Sequence, residues 1–113
     1  MVEISSDVIR GYNDTMILFT LLNEPSYGYD ISKRIKLLTN EQYVIKETTL
    51  YSAFTRLERN GYVESFEATD DAVGNGKKRT YYRITQAGRD YYKARCEEWE
   101  LTKSVVEKFI ATE

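Results

Sequence analysis

Hydroxyls and cations, rather than nucleophiles, are what this 113-residue chain offers for chemistry. Between positions 48 and 59 stand Thr48, Thr49, Tyr51, Ser52, Thr55, Arg56 and Arg59. On a helical wheel of roughly 100° per residue, Leu50, Ala53, Phe54 and Leu57 gather on one side. Thr48, Ser52, Thr55 and Arg59 fall opposite, flanked by Thr49, Tyr51 and Arg56. Glu47 precedes this span and Glu58 lies nearer the apolar edge, so the outward face carries no carboxylate. Hydroxyls donate to phosphates or read base edges, and arginine pairs with guanine N7 and O6. Short uncharged side chains also let a helix sit deep in a groove. A merely solvated helix face is the alternative, and it would more commonly mix Glu with Lys.

A second cluster, Lys77, Lys78 and Arg79, follows Gly74-Asn75-Gly76. It suits phosphate contacts without base specificity, although basic hairpin tips also serve solubility and edge protection. Together with Lys46, which stands just before the helix, the residues assigned to a DNA duplex are Lys46, Thr48, Thr49, Tyr51, Ser52, Thr55, Arg56, Lys77, Lys78 and Arg79. The net charge of −2 argues against such a partner until it is mapped along the chain. Positions 76–83 hold four bases and no acid, whereas 90–113 hold six acids against four bases. Sorting matters more than the sum.

Composition excludes much else. With no histidine there is no Ser–His or Cys–His pair, no histidine acid–base chemistry and little scope for zinc. One cysteine makes no internal disulfide. No phosphate-binding glycine loop opens a helix, and Gly74-Asn75-Gly76 reads as a hairpin turn. Neither a signal peptide nor a run long enough to span a membrane is evident. The expectation is a cytoplasmic, non-enzymatic protein that needs no cofactor or metal and has no membrane partner.

The elements that would position these groups follow from periodicity. One helix is predicted from Ser5 to Leu22, capped by Ser5 or Ser6, with Ile9, Tyr12, Met16 and Phe19 recurring at three and four. Pro25 ends it. A second fits Tyr29 to Leu38, its stripe formed by Ile31, Ile35 and Leu38, before a polar turn and a short extended link at Tyr43-Val44-Ile45. A third runs from Glu47 to Asn60, stopped by Gly61. Strands at Tyr62–Thr69 and Arg79–Thr85 flank a turn tract from Asp70 to Lys78. A long helix capped by Thr85 then runs to the C-terminus. This is a mainly α, α+β architecture. Residues 1–85 form a winged helix-turn-helix, and residues 86–113 a dimerisation helix belonging to the same compact unit.

Three segments resemble the PadR family of bacterial transcriptional regulators. They are Pro25-Ser26-Tyr27-Gly28-Tyr29-Asp30-Ile31, the stretch from Thr49-Leu50-Tyr51-Ser52 through Arg56-Leu57-Glu58-Arg59-Asn60-Gly61-Tyr62-Val63, and Arg79-Thr80-Tyr81-Tyr82-Arg83-Ile84-Thr85-Gln86-Ala87-Gly88. Thr48 stands where the family often has glycine, and Ser52 where it often has proline. The resemblance implies a homodimeric repressor on an inverted-repeat operator, often beside its own gene or a transporter or detoxification gene. It implies a dimer built by the C-terminal helix against the partner's first helix, and a tyrosine at Tyr51 near the DNA backbone. A single tail helix resembles the short-tailed group, some members of which bind planar aromatic drugs.

The tail carries its own pattern. Tyr92, Cys96, Trp99, Val106 and Phe109 repeat in heptad-like fashion, and Tyr91, Ala94, Leu101 and Val105 form a second edge. Two apolar edges suit packing on the chain's own body and on a second copy. The expected dimer contacts are Ile9, Tyr12, Tyr92, Cys96, Trp99, Val106 and Phe109. Trp99 reads either as a packing anchor or, with Phe109, as a stacking site for a flat effector. Cys96 reads as an inert buried thiol more readily than as a redox sensor, since Glu97 and Glu98 oppose thiolate formation. A winged-helix module that binds protein instead of DNA is the alternative function.

Overall fold

The computed structural model describes residues 3–69 and 77–111. The turn tract Asp70-Asp71-Ala72-Val73-Gly74-Asn75-Gly76 lies outside the described residues. The predicted first helix is broken. Helix α1 spans Ser6–Ile9, a 3₁₀ turn covers Arg10–Tyr12, and α2 spans Asn13–Thr20. Ser5 caps α1 by accepting from the Val8 amide at 3.3 Å. Two long-range bonds favour the break. The Gly11 carbonyl accepts from the Arg95 guanidinium, and buried Asn13 accepts from the Tyr43 hydroxyl at 2.7 Å.

Strand β1 (Ser26–Tyr27), unforeseen because two residues show no period, leads into α3 (Gly28–Leu38). Ile31 and Ile35 are buried, but Leu38, expected on the same stripe, is 60% exposed. It is the last helical residue, and the chain then turns away through Asn40 (φ 52°) and Glu41 (φ 64°). Helix α4 covers Glu47–Arg59. Strands β2 (Val63–Thr69) and β3 (Lys78–Ile84) pair antiparallel from Val63↔Ile84 to Thr69↔Lys78. With Ser26↔Tyr82 and Tyr27↔Tyr81 the sheet order is β1-β3-β2. The fold is the expected winged helix, with helices α1 to α4 under a small antiparallel wing.

One apolar core joins these layers. Ile17, Leu18 and Leu21 meet Ile31 and Ile35, the inward face of α4, and Val63 and Tyr82 from the sheet. Phe54 stacks on Tyr82 at 4.0 Å between ring centroids. Helix α5 (Gln86–Glu107) begins at Thr85, whose Oγ1 accepts from the Gly88 amide at 3.0 Å, the cap expected from sequence. It stops short of Phe109 rather than running to the end. At 1.5 Å per residue it is about 33 Å long, and Gly88 is its one buried residue. The radius of gyration, 16.0 Å, exceeds the roughly 13 Å expected of a compact chain this size, because the tail projects.

Candidate nucleic-acid interface

Helix α4 is a two-faced element. Leu50, Ala53, Phe54 and Leu57 are all buried, and this pins the opposite face outward. Lys46, at the N-cap position, is exposed, as are Thr48, Tyr51, Ser52, Thr55 and Arg59; Thr49 is half-buried. Thr55 Oγ1 donates to the Tyr51 carbonyl at 3.1 Å, and its lone pairs stay available as acceptors. Glu58, near the C-terminal end of α4, accepts from Ser65 Oγ at 2.5 Å and is drawn towards β2. The face so assembled offers hydroxyls and cations without a carboxylate.

Tyr51 stands edge-on to Phe54 at 5.5 Å. A Cβ on Gly28 would lie 2.7 Å from the Tyr51 hydroxyl, so this glycine lets the start of α3 close on α4. The motif around Gly28 was legible in the sequence; its service to Tyr51 was not.

Arg56, expected to reach a duplex, is turned to a different partner. Its Nε donates to Asp14 Oδ2 at 3.1 Å and its Nη2 to Oδ1 at 2.5 Å. The hydrogen bonds it donates to Asp14 hold the guanidinium pKa above its ordinary value, against the opposing effect of burial.

On the wing, Lys77 and Lys78 are exposed. Arg79 is half-buried, its guanidinium 4.5 Å above the Tyr27 ring. Arg83 lies 4.3 Å above Phe66 and 3.6 Å from Glu64. Tyr27, Tyr81 and Phe66 form an aromatic ladder across β1, β3 and β2, with centroid separations of 5.3 and 5.7 Å. Strand alternation alone would have placed Tyr81 and Arg79 on one face. The ladder needed β1, which left no sequence signal.

The tail residues divide along α5. Near its start, half-buried Tyr92 leans on Phe19 at 6.5 Å, and half-buried Cys96 follows one turn on. Burial, then the hydrogen bond to Cys96, push the Tyr92 phenol up. Tyr12 stands edge-on to Trp99 of the same protomer at 5.4 Å, and Ile9 is half-buried. A cleft of about 240 Å³ opens there, lined by Gly11, Tyr12, Arg95, Glu98, Trp99 and Thr102 among others. Val106 is exposed, and Phe109 is 83% exposed. Ten residues, about 15 Å of helical rise, separate Trp99 from Phe109, so a single protomer does not bring them together. Among the described residues no His, Cys, Asp and Glu cluster could hold a metal ion, and no helix is long and apolar enough to cross a membrane.

Comparison with known proteins agrees with this fold. Residues 17–94 match the transcriptional regulator PadR-like family. A transcriptional regulator from Clostridium thermocellum is 59% identical, with a TM-score of 0.85 over 94% of this chain and 100% of its own. A PadR family transcription regulator from Clostridium difficile is 30% identical, with a TM-score of 0.74 over 89% of this chain and 100% of its own. An uncharacterized protein of Lysinibacillus sphaericus is 40% identical over 107 residues, 95% of each chain.

Proposed function

Because the chain belongs to the PadR-like family of transcriptional regulators, DNA-binding proteins and not enzymes, we propose that it is a homodimeric repressor of an inverted-repeat operator. The observation that carries the reading is the carboxylate-free outer face of α4, held outward by a fully buried inner face. Lys46, Thr48, Thr49, Tyr51, Ser52 and Thr55 enter the major groove. Lys77, Lys78 and Arg79 lie along flanking phosphates. The two-fold axis relating the protomers sets the half-site spacing.

Dimerisation is supported by the exposed apolar residues of the tail. Trp99, Leu101, Val105 and Val106 follow one another along α5 and stay 45–66% exposed on the single protomer. Two tails packed through the edge that carries Trp99 and Val106 would bring both Trp99 rings close to the axis, where a planar aromatic effector would stack between them. Trp99 is the single tryptophan, so its emission reports on that site. Titration with an acridine dye is expected to quench it; unchanged emission across a panel of such dyes would remove the effector from this reading.

Gel shifts against the DNA upstream of the protein's own gene and its neighbours test the main reading. Wild-type protein should bind with an affinity that falls steeply with salt. The double variant Lys77→Ala/Lys78→Ala should flatten the slope of log K against log salt by about 0.9 for each phosphate no longer neutralised. A protein without any salt-dependent duplex binding would instead be a protein-binding winged-helix module.

A further inference from the structure

Two of the ties that hold α4 lead to one destination. On the flank of α4, Arg56 is gripped by both carboxylate oxygens of Asp14, in the first turn of α2. The Asp14 side chain is 13% exposed and that of Arg56 42%, so water competes weakly for the carboxylate. Past the C-terminus of α4, the Gly61 carbonyl accepts from Thr85 Oγ1 at 2.7 Å, and the Tyr62 carbonyl accepts from the Thr85 amide at 3.1 Å. The Tyr62 ring lies nearly parallel to that of Tyr91, 4.2 Å away, on the second turn of α5. Helix α2 meets the same helix through Phe19 and Tyr92. Both of these attachments therefore end on the base of the tail.

A guanidinium in this setting is a poor ligand for a phosphate. Two of its five N–H donors are taken, and a carboxylate in direct contact offsets its charge. We infer that Asp14 and Arg56 are positioning residues: with the Tyr62–Tyr91 stack they lock α4 to the tail, so that the dimer fixes the angle and separation at which two α4 helices meet the duplex. The inference rests on the homodimeric operator reading above. It gives Arg56 no contact of its own with DNA. Coupling of this sort needs an element that both sites bias; here that element is the junction of α2, α4 and α5.

A duplex selected from a random-sequence pool by the wild-type protein supplies the probe, together with versions whose spacer is one base pair longer or shorter. Each added pair rotates one half-site by about 34° relative to the other, given 10–10.5 base pairs per turn. Wild-type protein should discriminate strongly among the three. Asp14→Asn and Arg56→Gln should bind the selected duplex about tenfold more weakly and lose most of that discrimination, with the salt slope unchanged. Arg56→Lys, which keeps an ion pair, should retain discrimination. Circular dichroism melting confirms that each variant is folded under the binding conditions. Two results would overturn the inference while leaving the operator reading intact: discrimination preserved in Arg56→Gln, or a salt slope reduced by about 0.9 at every spacing, the mark of one fewer phosphate neutralised. Failure of the wild-type protein to enrich any duplex would sink the operator reading itself, and the inference with it.

Discussion

Gly88→Ala is expected to cost about 3 kcal/mol of stability, a fall in Tm of roughly 12 °C or more for a domain of this size. A Cβ at position 88 would sit 2.1 Å from the Tyr62 carbonyl oxygen and 2.8 Å from Ile84 Cγ1. The isoleucine can rotate, but the carbonyl is backbone and already accepts from the Thr85 amide. Relief therefore requires lifting the first turn of α5, which strips Thr85 from its cap and slides Tyr91 off Tyr62. Two other glycines calibrate the claim. At Gly61, φ is +78° and nothing lies within 4 Å of an added Cβ, so alanine costs only backbone strain of about 1–2 kcal/mol. At Gly28 the obstacle is the end of the Tyr51 side chain, which can swing aside. Gly28→Ala should leave Tm within a few degrees of wild type while weakening duplex binding through Tyr51. Thermal melts of the three variants decide the order, and a Gly88→Ala protein as stable as Gly28→Ala would contradict the packing described for the α5 junction.

Val106→Asp is expected to convert a dimer into a 13.2 kDa monomer at micromolar concentration. Val106 lies one residue beyond Val105 and three before Phe109, on a stretch of α5 that the protomer leaves largely uncovered. Its replacement disturbs no buried contact of the single chain, so the melting of the wing and the core helices should persist. What it removes is apolar surface that a second copy would bury, and it puts a charge there without a partner. Loss of the dimer separates the two half-site contacts. Operator affinity should then fall by about 10²- to 10⁴-fold, the span by which linked sites exceed single ones. Sedimentation of the wild type as a monomer, or of Val106→Asp as a dimer, would refute the tail as the dimerisation element.

How far the sequence reached depends on the range of the interaction. Four apolar residues at helical spacing were enough to orient α4, and all four are buried. Gly61 ending that helix and Thr85 capping the next were equally readable, since a cap or a left-handed turn involves neighbours in the chain. The helix-turn-helix order and the wing followed from the same local signals. Leu38 shows the boundary of this reasoning: periodicity says which way a side chain points, but not where the neighbouring element ends.

What the chain determined by itself, then, was the set of elements and the chemistry of the face that α4 turns outward. Tertiary structure decided the partners. Arg56 meets Asp14 across 42 positions and Arg95 meets Gly11 across 84. Tyr27 finds Arg79 only because a two-residue strand joins the sheet. A helix or cap is written in a run of adjacent residues whose spacing matches a fixed geometric period. An ion pair between distant residues leaves no such period, and it exists only once the core has set both backbones in place.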